Sequence, residues 1–163
     1  PPPPSPPRRP PRPTPMLNRR QRQMCIRDRP HEVWLKAIEG TWTWNDDDRG
    51  RVTVTFKPHA EGECVVGVGK DGNGSFVTII GWEAWSKSLT DTGFHSSGGG
   101  GRIVYDEVTE TTLKGVRTGA GPGGEPQPES NFHVVRDGNL VTVTATDANG
   151  KMTKNVLTKV VKK

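Results

Sequence analysis

Between positions 51 and 57 apolar and polar residues alternate without a break, with Val52, Val54 and Phe56 on one side and Arg51, Thr53, Thr55 and Lys57 on the other. Successive side chains of a strand point to opposite faces, so this pattern predicts a strand with one dry and one wet face. The same period of two places Val141, Val143 and Ala145 inward and Thr142, Thr144 and Thr146 outward. Short β-rich runs at 41–44, 51–57, 63–69, 75–82, 88–95, 102–106, 111–118, 130–136, 139–147 and 151–161 read as about ten strands. Turn-rich segments separate them: 45–50, 58–62, 70–74, 83–87, 96–101 and a long stretch at 119–129. Asp137-Gly138 and Asn149-Gly150 are tight-hairpin signals, because such turns need the positive φ that these residues tolerate. The one helical pattern is Val33, Trp34, Ala37 and Ile38, a turn or two ended by Gly40.

With no long helix to make crossovers, successive strands are expected to pair antiparallel as a meander. Closing that meander removes the edges that invite aggregation. The expected fold is therefore all-β: an antiparallel up-and-down β-barrel of about 8–10 strands with a short N-terminal helix, preceded by a disordered leader.

Composition divides the chain at Pro30. Of 15 prolines, ten lie within the first 15 residues, and the 30% hydrophobic content with a mean hydropathy of −0.70 leaves little apolar material outside the barrel. Two domains of description follow: a Pro/Arg-rich leader, 1–29, and a barrel domain, 30–163. The net charge of +5 belongs to the leader, which holds eight arginines against Asp28, whereas 30–163 carries 15 basic and 17 acidic residues. A barrel of that balance has no electrostatic footing for nucleic acid. No apolar run approaches the roughly 20 residues of a membrane-spanning helix.

The chain starts at Pro1 without Met, and Gln23-Met24-Cys25-Ile26-Arg27-Asp28-Arg29 resembles the translation of a transposase end used in preparing sequencing libraries. The leader is accordingly expected to be an artefactual chimera, although Pro7-Arg8-Arg9-Pro10-Pro11-Arg12 also matches a polyproline ligand of the PxxPxR form. Localisation and oligomeric state are not legible.

Gly40-Thr41-Trp42, directly after the short helix and opening the first strand, resembles the Gly-x-Trp signature of lipocalins. The run Ile79-Ile80-Gly81-Trp82, with the segment from Asp91 to Gly99 after it, is similar to uncharacterised bacterial lipocalin-like (calycin-type) domains. The resemblance covers 30–163. It implies that Trp42, with Gly40 allowing a tight bend, plugs one end of the barrel and packs against an Arg from near the last strand. The sequence departs from lipocalins there, since its final strand has lysines such as Lys154 and Lys159 and no Arg.

The resemblance further implies a pocket for a small apolar ligand, for which Val54, Phe56, Val66, Val68, Ile80, Tyr105, Phe132 and Val143 are the expected lining. The alternatives are an enzyme with polar groups converging in the cavity and a pocket-free interaction domain. No nucleophile with an adjacent base is evident, only dispersed Asp91, His95 and Glu107, so catalysis is not expected. No cofactor or metal is expected either: Asp46, Asp47 and Asp48 lack the spacing of a calcium loop, and His31, His59, His95 and His133 lack zinc spacing. His133, between Phe132 and Val134, is the histidine expected inside. Cys64 is expected to be a buried thiol, and the two G-x-G-x-x-G matches, beginning at Gly67 and Gly119, are expected to be turn glycines because no helix follows them.

Overall fold

A computed structural model describes residues 29–161, so the readings made for the leader lie outside the described residues. One helix, α1 (Pro30–Ile38), precedes ten strands: β1 (Gly40–Asp46), β2 (Gly50–His59), β3 (Cys64–Asp71), β4 (Gly74–Glu83), β5 (Ser88–His95), β6 (Gly100–Val108), β7 (Thr112–Ala120), β8 (Pro126–Asp137), β9 (Leu140–Asp147) and β10 (Met152–Lys159). Every strand pairs antiparallel with its chain neighbours, and β10 returns to β1, closing an up-and-down barrel. The all-β expectation holds, with the short helix on the N-terminal side.

Pro30 stands at the start of α1, where its fixed φ suits the first helical turn and no hydrogen bond is forfeited. Trp34 and Leu35 are buried, and Ile38 packs against the same core. The stripe is thus wider than the sequence pattern indicated, and it closes one end of the barrel. Gly40, at φ +107°, turns the chain into β1, and Trp42 is completely buried. Its indole N–H donates to the Ile38 carbonyl at 2.7 Å. Lys159 Nζ lies 5.3 Å from the centroid of the Trp42 ring and donates to the Ala37 carbonyl at 3.1 Å. A lysine on the last strand thus stands over Trp42, where the resemblance implies an arginine. A Cβ on Gly40 would lie 3.0 Å from Lys159 Cε, a second reason for glycine there.

Among the described residues the β1–β10 seam is registered through Trp42–Lys159 and Thr43–Thr158, and the Val160 N–H donates to the Thr41 carbonyl at 2.8 Å. Toward the other end the two strands are bridged by Asn155 Nδ2 donating to Asp46 Oδ2 at 3.3 Å.

Several expectations need correction. On β3 the buried positions are Val65, Gly67 and Gly69, so Val66 and Val68 point outward, Val68 with 62% exposure. The reason is steric: a Cβ on Gly67 would fall 2.5 Å from the Phe56 ring, and one on Gly69 2.4 Å from the Phe76 ring. Inward glycines here accommodate large neighbours, so Gly67 and Gly69, like Gly119 on β7, are strand glycines rather than turn glycines. His133 is exposed because Phe132 and Val134 take the inward phase of β8. His31 is the buried histidine instead, stacked on Trp82 at 4.1 Å between ring centroids. Cys64 is half-buried, in phase with outward Val66 and Val68. The long loop at 119–129 is largely strand, since β8 already starts at Pro126, where a missing N–H is tolerated at a strand's first residue.

Candidate ligand-binding cavity

The barrel axis is not filled. A cavity of about 460 Å3 runs from the inner face of α1 to the opposite end, the mouth, where the 47–49, 72–73, 96–99 and 121–125 connections gather. Val54, Phe56, Ile80, Tyr105 and Val143 are among the residues that line it. Phe132 packs against the core without lining the cavity, and Val66 and Val68 lie on the outer face.

The cavity is not uniformly apolar. Strand register puts Ile80, Asp91, Ile103 and Arg117 side by side across β4, β5, β6 and β7, so Asp91 and Arg117 share one layer of the wall with Ile103 between them. The Thr78 hydroxyl donates to Asp91 Oδ1. Burial pushes the Asp91 carboxyl up to about 6 against the pull of the Thr78 hydrogen bond and the Arg117 charge. Burial, with Asp91 nearby, also raises the Tyr105 phenol well above its ordinary value. Arg117 is lowered, first by burial and then by the charge of Arg49. In the next layer toward the mouth three inward glycines, Gly93, Gly101 and Gly119, lie in register on β5, β6 and β7. Without side chains there, the wall recedes around the Arg117 head.

At the mouth, His95 Nε2 lies 3.3 Å from Asp71 Oδ1, and the Ser97 hydroxyl lies 2.7 Å from His95 Nδ1. The Ser97 backbone N–H also donates to Nδ1, which makes Nδ1 an acceptor and leaves the ring proton on Nε2, directed at Asp71. Burial would raise Asp71, but the Asn73 N–H, His95 and Arg49 together hold it below its ordinary value. Arg49 stands 3.8 Å from Asp71 Oδ2.

Of the three dispersed residues noted as catalytic candidates, the fold brings Asp91 and His95 to one cavity. Glu107 is on the outside, paired with Lys114 at 2.7 Å. Arg117 was not among the expected lining. Its signal is its phase, because Leu113, Gly115 and Arg117 alternate on one face of β7. Asp46 is occupied in its own turn, accepting from the backbone N–H of Asp48 and Arg49.

A closed ten-stranded antiparallel barrel with one open end and a ligand-sized interior is the class these observations define, a form consistent with a calycin-like fold. The chain matches no model of a known protein family and no curated protein. No helix among the described residues is long and apolar enough to cross a membrane.

Proposed function

We propose that residues 30–163 form a lipocalin-like binding domain that holds a small, partly apolar molecule in the barrel and carries out no reaction on it. The observation behind this reading is the cavity. Its volume of about 460 Å3 falls in the range of roughly 300–1,000 Å3 usual for ligand pockets, and its walls combine aliphatic and aromatic side chains with a few convergent polar groups. The cation standing over Trp42 supports the lipocalin kinship. The open axis favours this reading over a pocket-free interaction domain.

The test is titration with decan-1-ol, followed by tryptophan fluorescence, since Trp34 and Trp44 line the cavity. Saturable one-to-one binding is expected, and Val143→Trp, which fills the cavity, should abolish it while the circular-dichroism spectrum stays native. An absence of binding to the wild-type protein, or binding unaffected by Val143→Trp, would overturn the reading.

One observation favours a second reading, an esterase-like activity at the mouth: the Ser97–His95–Asp71 chain has a hydroxyl on an imidazole acceptor whose far N–H meets a carboxylate. The His95–Ser97 bonds also brace the β5–β6 turn and His95–Asp71 ties it to the end of β3, which is why binding stands first. Labelling of Ser97 by a fluorophosphonate, lost in His95→Ala, would support this second reading; an unlabelled protein would remove it.

A further inference from the structure

We infer that the cavity is selective for a ligand with a carboxylate head, seated against Arg117 at mid-barrel with its apolar body directed toward α1. The inference rests on the binding reading above and names the chemistry of that same site.

Arg117 points into the cavity, yet among the described residues its guanidinium makes no hydrogen bond and no ion pair. A guanidinium offers five N–H donors in a planar fork that matches a carboxylate. Leaving such a group unpaired in an apolar wall is costly, so a site that retains it is suited to a partner from outside the chain. Asp91, in the same layer, is not that partner: it lies beyond 4 Å, across Ile103, and accepts from Thr78. A second guanidinium, Arg49, lines the mouth of the same cavity, where it is paired with Asp71 at 3.8 Å.

The wall is shaped to leave the fork accessible. A Cβ on Gly101 would lie 3.0 Å from the Thr118 carbonyl oxygen and 3.1 Å from Arg117 Nε, so glycine lets the guanidinium rest close against β6 without displacement. Gly93 and Gly119 flank Gly101 on the neighbouring strands and add no side chains beside it. Toward α1 the cavity is lined by Leu89, Leu113, Val134 and Val141. One polar station above an apolar shaft fits an amphipathic monocarboxylate.

Decanoate, decan-1-ol and decylamine share one alkyl chain and differ only in the head, so calorimetric titration of the full chain with all three separates head from tail. Decanoate is expected to bind at least about tenfold more tightly than decan-1-ol, the scale of a charge-assisted hydrogen-bonded pair. Arg117→Gln should erase that advantage, so that decanoate binds no more tightly than decan-1-ol. Equal affinities for decanoate and decan-1-ol, a preference for decylamine, or an advantage that survives Arg117→Gln would overturn the carboxylate assignment while leaving the binding reading intact. Failure of all three to bind would overturn the binding reading itself. If Arg117→Gln does not fold, the ranking of the three heads on the wild-type protein decides alone.

Discussion

Where α1 enters, the barrel is packed with Trp34, Leu35 and Trp42, and a lysine covers the tryptophan. Toward the mouth the wall recedes at Gly93, Gly101 and Gly119, and polar side chains line it, Asp91 and Arg117 at mid-barrel and Arg49 and His95 at the rim. Large rigid side chains stand where the barrel has only to hold together. Small and charged ones stand where local packing rules are broken, which is where binding chemistry is usually found.

The sharpest way to break that comparison is to remove the plug. Trp42→Ala should cost about 3–5 kcal/mol in urea denaturation, the range for a buried aromatic, whereas Arg117→Gln should change stability by less than about 1 kcal/mol. Comparable losses at the two positions would mean that the mouth is as structural as the plug.

Asp91→Asn should act with the opposite sign. Because the carboxyl is raised from 3.8 to about 6 in the folded state, the fold binds the proton more tightly than the unfolded chain does. Stability from Asp91 is therefore fully present below pH 3.8 and is lost as pH rises through about 6. At pH 7.5 Asp91→Asn should stabilise by up to about 3 kcal/mol, and the gain should vanish near pH 3.5.

Lys159→Met, which keeps the aliphatic stem but removes the charge over Trp42 and the bond to Ala37, should cost about 1 kcal/mol, and Lys159→Arg should recover part of it.

The smallest effect concerns His31. Burial holds this imidazole below 6.5, against the pull of Glu32 and Glu63, so the fold favours the neutral ring. The contribution of His31 is fully present above pH 6.5 and is lost as pH falls below it. Amide hydrogen exchange in α1, corrected for intrinsic rates, should therefore be faster at pH 5.5 than at pH 7.5. His31→Phe, which retains the stack on Trp82, should flatten that difference.

The strands were legible because one face of each is dry and turn residues punctuate the chain, as in β2 and β9. Phase was not legible where both faces carry apolar residues. Val66, Val68, Val77, Ile79 and Phe94 are only partly covered on the outer wall, while glycines occupy inward positions that a hydrophobicity pattern assigns to larger side chains. The cavity was half legible: Val54, Phe56, Ile80, Tyr105 and Val143 follow from alternation. Arg117 keeps the inward phase of Leu113 on β7 but was not legible as lining, since a lone arginine in a strand ordinarily faces water, and only register across β5, β6 and β7 puts it in one layer with Asp91.

The seam carries a consequence for the order of assembly. Every other pairing joins strands that follow one another along the chain, so each can form by closing a short loop. The seam joins distant segments, with Asn155 and Asp46 lying 109 positions apart, and the loop entropy of that closure is repaid only once nearly all the sheet exists. Its registered pair, Trp42–Lys159, is also the plug. Ring closure and sealing of the barrel end are thus a single late event in folding, and a chain stalled before it would present two unpaired strand edges to its neighbours.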